Sequence, residues 1–331
     1  MDSTTKQFKC GFVAILGQAN AGKSTLLNSL VGEKVAIVST HPQTTRNRIL
    51  GIVNRPCAQI VINDTPGLHK PDSLLGRQML EEIEQALDGI QILLLIVDAT
   101  RKFSTGAQRV LDRAEQFRGP TILLLNKIDR VRKEALLPLI GAYSKKMDFA
   151  EIIPISALTG DGVERLLRKL EKYLPEGPPY FPADQYTDQP ERFLATEIIR
   201  EKVLQHARQE LPHAVAVLLD KFEEGERLTR IHATIYVDRE GQKGIVIGRA
   251  GAMLKTIGTE ARAELEQMLD RKVFLELFVK VRPDWRDQAA IVRELDWRRQ
   301  MEAMAAGEEA ETAESPDKEA DKDEFEEEDE L

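Results

Sequence analysis

The chain has 331 residues, which is long enough for two domains that each bury a core. Two cysteines without CxxC spacing, five scattered histidines and no apolar run longer than residues 92–97 exclude a disulfide framework, a Cys/His zinc site and a membrane-spanning helix. The net charge of −9 comes from residues 302–331, whose 15 acidic and 2 basic residues leave the rest of the chain at +4. We therefore expect a soluble cytoplasmic protein with a mildly basic body, which suits a nucleic-acid partner, and a disordered acidic tail.

Short apolar runs alternate with amphipathic segments from residue 8 to about residue 174. This alternation predicts an α/β domain, in which a mostly parallel sheet is wrapped by helices. Only five residues separate the second and third runs, so a hairpin should make one edge strand antiparallel. Six strands are expected, at residues 12–16, 49–53, 59–62, 92–97, 121–125 and 152–155.

The strongest motif follows the first strand and precedes a helix-like segment. Its G-x-x-x-x-G-K-[ST] spacing is that of the P-loop, whose glycines let backbone N–H groups point at phosphate oxygens beside a helix N-terminus. We expect Lys23 to neutralise the β- and γ-phosphates of a nucleotide, and Ser24 to bind Mg²⁺. A chance glycine turn before Lys-Ser is the alternative, which the strand-to-helix context disfavours. The phosphate-site residues predicted here are Gly17, Gln18, Ala19, Asn20, Ala21, Gly22, Lys23, Ser24 and Thr25.

Two further segments predict contacts with the γ-phosphate and its metal. The polar loop 39–46 can supply a threonine hydroxyl to Mg²⁺, and we favour Thr45 over Thr44. Asp64 ends the third strand opposite the glycine loop, where a carboxylate would hold Mg²⁺ directly or through water. Gly67 would offer its backbone N–H to the γ-phosphate. The predicted metal ligands are Ser24, Thr45 and Asp64, and the nucleotide contacts of this strand end are Asp64, Thr65, Pro66, Gly67 and Leu68.

The segment after the fifth strand predicts the base. The Asp129 carboxylate could accept hydrogen bonds from guanine N1–H and the exocyclic amine, whereas adenine offers neither in that geometry. Asn-Lys-x-Asp alone is more often a turn before a helix cap, but its place after a predicted strand, downstream of a P-loop, reverses that preference. Backbone at the end of the last strand could cap guanine O6. The predicted guanine contacts are Asn126, Lys127, Ile128, Asp129, Ser156, Ala157 and Leu158.

Together these elements resemble the five sequence elements of the translation-factor class of small GTPases. The resemblance implies Mg²⁺-dependent GTP hydrolysis in which Asn20, Lys23, Thr45 and Gly67 act. Ras-like enzymes place Gln directly after the D-x-x-G element to orient the attacking water. This chain has Leu68 there, so intrinsic hydrolysis should be slow. In related GTPases an Asn at the position of Asn20 helps to hold K⁺, and we hypothesise that K⁺ stimulates hydrolysis.

A second domain follows the proline-rich stretch 176–190, which we interpret as an interdomain linker. A helix pattern, two strands, an Ile-Gly-x-x-Gly element, a helix and a strand come in that order. This order resembles the type II KH fold, an α+β domain whose GxxG loop clamps about four nucleotides by their backbone. An ordinary helix-turn-helix is the alternative. The predicted RNA contacts are Lys243, Ile247, Gly248, Arg249, Ala250, Gly251 and Lys255.

A GTPase domain followed by a type II KH domain resembles the Era family, bacterial GTPases of small-subunit ribosome assembly. The resemblance covers about residues 6–300 and implies a nucleotide-dependent switch that binds the 3′ region of small-subunit ribosomal RNA and the 30S subunit. The family usually has Pro at position 19 and a branched residue at position 21. Ala19 and Ala21 depart from that pattern but leave the phosphate-contacting chemistry intact. The expected division is a GTPase domain at 6–175, a linker at 176–190, a KH domain at 191–301 and an acidic tail at 302–331.

Three other interpretations are compatible with parts of this pattern. The first is a constitutive RNA-binding adaptor with a structural nucleotide site. Four intact residues disfavour it, namely Lys23, Ser24, Asp64 and Asp129. The second is another GTPase family whose KH-like domain binds a partner other than RNA, although tandem members carry two P-loops and this chain has one. The third is a peripheral contact with the inner face of the cell membrane through the apolar face of a helix at 193–209, although such a face more often packs in a core.

Overall fold

The structure, a computed structural model, describes residues 7–39, 41, 44–68, 71–206 and 214–302. Almost all of the predicted acidic tail, residues 303–331, lies outside the described residues. So do residue 6, residues 40, 42 and 43 of the polar loop 39–46, and the last three residues of the helix predicted at 193–209. In the part of the chain that the structure describes, no helix has the length and apolar content needed to cross a bilayer.

The first half of the chain forms one α/β domain around a six-stranded sheet. The sheet has the order β2-β3-β1-β4-β5-β6, and all neighbours are parallel except the β2–β3 pair. The predicted mixed, mostly parallel sheet with one antiparallel edge is therefore confirmed. Its strands are β1 Lys9–Gly17, β2 Ile49–Arg55, β3 Ala58–Asp64, β4 Ile92–Asp98, β5 Thr121–Asn126 and β6 Glu151–Pro154. Its helices are α1 Lys23–Val31, α2 Leu74–Leu87, α3 Thr105–Ala114, α4 Leu136–Ser144 and α5 Val163–Tyr173.

Burial of both sheet faces explains why the strands are continuous apolar runs. Helices α1 and α5 cover one face and α2, α3 and α4 the other, so successive side chains of β4 enter two different cores. The parallel strands all end at the same edge of the sheet. That edge therefore collects the loops after β1, β3, β4, β5 and β6, where ligands bind in open α/β sheets.

The proline-rich stretch 176–190 lies along the antiparallel edge of this sheet. The Ile52 backbone N–H donates to the Tyr186 carbonyl over 2.9 Å, and the Thr187 hydroxyl donates to the Leu50 carbonyl over 2.7 Å. The Gln59 side chain, fully buried, accepts from the Phe181 N–H and donates to its carbonyl. Since an edge strand has backbone groups without a ladder partner, this stretch satisfies them and covers the edge. The sequence pattern that predicted a linker does not show this contact.

A second, α+β domain follows. Its helices are α6 Glu191–His206, α7 Glu240–Ile247, α8 Ala252–Leu269 and α9 Ala289–Glu294. Its strands are β7 Ala216–Glu223, β8 Leu228–Val237 and β9 Lys272–Val281, in the sheet order β7-β8-β9. β7 pairs with β8 antiparallel, and β9 pairs with β8 parallel. The predicted type II KH arrangement is confirmed by this order of elements.

The apolar face of α6 packs inside the second domain. Ile199 and Val203 are almost completely buried, in one cluster with residues of β7, β8 and α8. This face, considered above for a membrane contact, is part of the protein core.

The two domains share a smaller core around Trp285. The indole is fully buried and its N–H donates to the Ala214 carbonyl over 2.8 Å. It packs with Leu218 of β7 and with Leu75 and Met79 of α2, which belong to different domains. Removal of such a buried side chain costs roughly 3–5 kcal/mol of stability, and its apolar contacts in this core join the two domains.

Candidate functional sites

The loop between β1 and α1 encloses a lysine. Lys23 is 6% exposed, and its Nζ donates to the Gly17 and Gln18 carbonyls over 3.3 and 3.1 Å. Gly22 has φ +100°, and a Cβ there would lie 2.2 Å from the Asn126 amide nitrogen, so only glycine fits. Burial lowers the pKa of Lys23, and the nearby Asp64 carboxylate opposes that shift. The curled backbone, the buried ammonium and the α1 N-terminus together form an anion-binding site.

Three oxygens from different elements meet beside this lysine. The Ser24 hydroxyl donates to Asp64 Oδ2 over 2.7 Å, Thr45 Oγ1 lies 2.8 Å from Ser24 Oγ, and it donates to the same Oδ2 over 3.3 Å. Octahedral Mg²⁺ with ligands at about 2.0–2.1 Å places neighbouring ligand oxygens about 2.9 Å apart. Asp64 Oδ1 is buried and accepts no hydrogen bond from the described residues. The spacing, the hard oxygen donors and the unused carboxylate oxygen fit a magnesium ion.

The structure distinguishes the two threonines of the loop before β2. Thr45 is 5% exposed and faces the Ser24 and Asp64 oxygens. The Thr44 hydroxyl instead donates to the His41 carbonyl over 2.7 Å. This geometry supports the choice of Thr45, which stays a prediction for the metal-bound state.

Protons should compete with Mg²⁺ at Asp64. Burial raises the pKa of this carboxyl from 3.8 to about 6, against the lowering effects of Lys23, Ser24 and Thr45. The carboxyl is therefore mostly protonated below that pH, and a proton must leave before the metal binds. We expect the Mg²⁺ affinity of the nucleotide-free chain, measured by calorimetry, to be about tenfold lower at pH of about 5 than at about 7. In Asp64→Asn the remaining affinity should not depend on pH in this range, and equal wild-type affinities would refute the expectation.

The residues after β5 tie this strand to the phosphate loop. The Asn126 amide donates to the Ala21 carbonyl over 2.8 Å and accepts from the Ala157 N–H over 2.9 Å. Lys127 Nζ donates to the Asn20 carbonyl and to Asp98 Oδ2, each over 2.7 Å. Asn126 and Lys127 thus fasten the loop after β5 to the phosphate loop, and their predicted contact with guanine stays a prediction.

Asp129 is oriented by the loop after β6. Its Oδ1 accepts from the Ser156 hydroxyl over 2.6 Å, and the Ser156 oxygen accepts from the Thr159 N–H over 3.2 Å. Ser156 is fully buried, whereas the Leu158 side chain is 78% exposed. Locking one carboxylate oxygen in this way fixes the direction in which Asp129 can receive two N–H donors.

The remaining predicted residues of the β3 end take different positions. The buried Thr65 hydroxyl donates to the Ile15 carbonyl over 2.7 Å, so its side chain fastens β3 to β1. A Cβ on Gly67 would lie 3.0 Å from Ala19 Cα, which shows how closely this loop approaches the phosphate loop. Leu68 packs against the core beneath α2 and α3, and is placed as an apolar side chain rather than as a water-orienting group.

Asp98 belongs to the site but was not singled out from the sequence. Its carboxylate accepts from Lys127 and from the Thr100 backbone and hydroxyl, and despite partial burial these bonds lower its pKa. An acidic residue at the carboxyl end of the apolar run that forms β4 could have drawn attention to it.

Side chains of the second domain hold the loop that carries Thr45. The Val38 N–H donates to Glu201 Oε1 over 2.8 Å, and Arg200 donates to the Thr44 carbonyl. Lys34 pairs with Glu201 and with Glu264 of α8. No local sequence pattern reveals these contacts, because they join positions more than 150 residues apart along the chain.

The predicted GxxG loop connects α7 to α8. Gly248 has φ +73°, and a Cβ there would lie 2.9 Å from the Met253 backbone nitrogen. Arg249 and Lys255 are exposed beside this turn. A groove continues from the loop between α8 and β9. The sequence did not predict the other residues that line this groove. They are the apolar Leu254, Leu275 and Leu277, the small Gly258 and Thr259, and the cationic Arg262. An apolar groove with basic side chains suits bases and phosphates of a single strand.

These two sites define the class of the protein. A P-loop domain with an Asn-Lys-x-Asp base site, joined to a type II KH domain, is a GTPase of the translation-factor class with an RNA-binding module. The family described as 50S ribosome-binding GTPase matches residues 12–127, and the KH domain family matches residues 210–286.

The chain belongs to the Era family. It is 50% identical over 292 residues to GTPase Era of Syntrophus aciditrophicus, covering 88% of this chain and 95% of the relative. GTPase Era of Geobacter metallireducens is also 50% identical over 292 residues, with 88% and 98% covered. The predicted family and the predicted GTPase activity are confirmed.

Two solved Era structures share the whole architecture at 43% identity, each covering 88% of this chain and 99% of the other. Era in complex with MgGDPNP and nucleotides 1506–1542 of 16S ribosomal RNA superposes with a TM-score of 0.85. A variant of Aquifex aeolicus Era bound to GDP·AlF₄⁻ superposes with a TM-score of 0.84.

Proposed function

We propose that this chain is a GTP-dependent switch that binds the 3′ region of 16S ribosomal RNA through its KH domain and assists assembly of the 30S subunit. The observation that carries the proposal is the pair of contacts from α6 of the KH domain to the loop bearing Thr45. The MgGDPNP and 16S ribosomal RNA in the Era complex supply the ligand class. We place this activity in the cytoplasm.

We assign roles to the main predicted site residues. Lys23 and the loop backbone bind the β- and γ-phosphates, and the Gly67 N–H contacts the γ-phosphate. Ser24, Thr45 and Asp64 hold Mg²⁺, which would supply positive charge to the transferring phosphoryl group. Asp129 selects guanine, with Asn126 and Lys127 holding its loop in place. Ile247 and the turn that follows it, with Lys243, Arg249 and Lys255, contact the RNA backbone.

The contacts between α6 and the Thr45 loop give a physical route for coupling. A γ-phosphate and Mg²⁺ that fix Thr45 also fix the Thr44 carbonyl, to which Arg200 donates. Arg200 and the apolar face of α6 belong to one helix of the KH domain, so nucleotide state and KH position are linked. Because such linkage is reciprocal, RNA bound to the KH domain must change nucleotide affinity or hydrolysis.

The proposal is tested by GTP turnover with and without an RNA that carries the 3′ end of 16S ribosomal RNA. We expect turnover or nucleotide affinity to change by about fivefold or more, the range of ordinary coupling energies. A scrambled RNA of equal length controls for charge alone. If the RNA binds but changes neither GTP turnover nor nucleotide affinity, the two domains are not coupled and the switch proposal is wrong.

We also propose that K⁺ stimulates hydrolysis through Asn20. This residue has φ +63°, which asparagine tolerates, and lies in the phosphate loop beside the Lys127 ammonium. A monovalent cation there would supply part of the charge that an arginine finger supplies elsewhere. We expect turnover at least about tenfold faster in KCl than in NaCl, a barrier difference of about 1.4 kcal/mol. Asn20→Gly keeps the backbone conformation, removes the amide oxygen and should abolish the difference. Equal wild-type rates in the two salts would exclude the role of K⁺.

A further inference from the structure

Two arginines share an enclosed cavity between the domains, away from the phosphate loop. The cavity lies between the segment just before β2, helix α6, strand β7 and the residues around Trp297. Arg46 is 5% exposed and Arg200 2% exposed, and both line it. One arginine comes from each domain, so the cavity exists only when the domains are docked.

Three residues that line this cavity carry N–H groups without a hydrogen-bond acceptor among the described residues. These groups are Nε and Nη1 of Arg46, Nη1 of Arg200 and Nε1 of Trp297, and all of them are buried. A buried donor without an acceptor costs about 1–3 kcal/mol, and more when it is charged. Four such groups around one cavity indicate a missing acceptor.

The charges around the cavity are not balanced. Glu197 is the buried carboxylate of the lining, and both of its oxygens accept from Arg200, at 2.7 and 2.6 Å. Glu294, which also lines the cavity, is exposed. Arg46 has the Trp285 ring 5.3 Å from its guanidinium carbon, which offers a weak cation–π contact and no acceptor.

We propose that this cavity binds a small oxyanion, inorganic phosphate or sulfate in its simplest form, held between Arg46 and Arg200. A water molecule could accept some of these N–H bonds but would leave the charge uncompensated, whereas an oxyanion satisfies donors and charge together. Planar guanidinium groups match the oxygen geometry of phosphate and sulfate. The Trp297 indole N–H supplies a further donor.

An oxyanion at this position would also link the Thr45 loop to the KH domain. Arg46 directly follows Thr45, and Arg200 donates to the Thr44 carbonyl. An oxyanion between the two guanidinium groups therefore fastens the Thr45 loop to the KH domain. Its binding should stabilise the docked arrangement of the two domains.

Calorimetric titration with inorganic phosphate and with sulfate tests the proposal, using the full chain saturated with GDP and Mg²⁺ so that the phosphate loop is occupied. We expect one oxyanion per chain. Arg46→Met and Arg200→Met should each weaken binding at least about tenfold, because each removes a charged hydrogen-bond donor. Arg118→Met makes the same charge change at an exposed loop position and should leave the affinity unchanged.

Two further variants cover the other outcomes. Arg46→Lys keeps the charge without the planar fork, so it should fold and bind more weakly than wild type even if Arg46→Met fails to fold.

A chain ending at Glu302 lacks the acidic segment 303–331, whose carboxylates are oxyanions that could bind the same two arginines. Tighter binding in that shorter chain identifies the segment as a competitor for the site, and equal binding identifies a free oxyanion as the ligand. Absence of oxyanion binding in both the full-length and the shortened chain would overturn the proposal. So would equal oxyanion affinities of the wild type, the Arg46→Lys variant and the Arg200→Met variant.

Discussion

Replacing Lys23 by Met should lower kcat/KM for GTP about a thousandfold or more. The ammonium is buried inside the phosphate loop. Methionine keeps the length of the side chain but removes the charge that we propose to face the β- and γ-phosphates. Loss of one preorganised donor at a developing charge typically costs 10²–10³ in rate, and here the lost group is a full cation. Removing Lys23 also removes the charge that restrains the raised pKa of Asp64, so Mg²⁺ should bind more weakly. Steady-state turnover and a Mg²⁺ titration measure the two effects.

Lys145→Met is the matched control for this experiment, because it makes the same substitution at an exposed position near the end of α4. Its turnover should equal that of wild type. If kcat/KM of the Lys23→Met protein stays within a factor of ten of the wild-type value, the loop is not the catalytic phosphate site.

The RNA affinity of the wild-type protein should differ with and without GTP. Equal affinities would favour a constitutive RNA-binding adaptor instead of a switch.

Replacing Gly248 by Asp should weaken RNA binding at least about a hundredfold. The backbone there has φ +73°, and the new Cβ would meet the Met253 backbone nitrogen at 2.9 Å, so the turn between α7 and α8 must shift. The added carboxylate would also repel RNA phosphates at the loop that we propose to clamp them. Fluorescence anisotropy with the 3′-end RNA measures affinity, and the RNA effect on GTP turnover should be lost in the same variant.

Gly241→Asp separates the effect of position from that of charge. Gly241 lies in the first turn of α7 and is exposed, and a Cβ added there would meet no atom within 4 Å, so the same charge enters the same domain without strain. Gly241→Asp should weaken RNA binding only slightly, and RNA should still change the GTP turnover of this variant. Equal loss of affinity in both variants would mean that charge alone decides, and the assignment of the GxxG loop as the RNA clamp would be wrong.

Most of the secondary structure follows from the sequence because it depends on near neighbours. The run Ile92 to Val97 predicts a buried strand by composition, and the alternation of runs and amphipathic segments predicts the parallel sheet. The P-loop needs Gly22 and Lys23 at fixed spacing beside a strand, so its position is readable within ten residues. The helix expected after the Ile-Gly-x-x-Gly element is α8, which begins after Gly251 and ends where Asp270 takes the left-handed conformation.

The sequence by itself thus determined the family and the order of elements, and it predicted the positions that should face nucleotide and RNA. Only the tertiary structure decided how these positions act on one another. Arg200 reaches the Thr44 carbonyl across 156 residues of chain, and Asp98 meets Lys127 because β4 and β5 are neighbours in the sheet. The proline-rich stretch covers the β2 edge because that edge has backbone groups to satisfy. Partners of this kind are set by packing and electrostatics between distant segments, and no local spacing or composition encodes them.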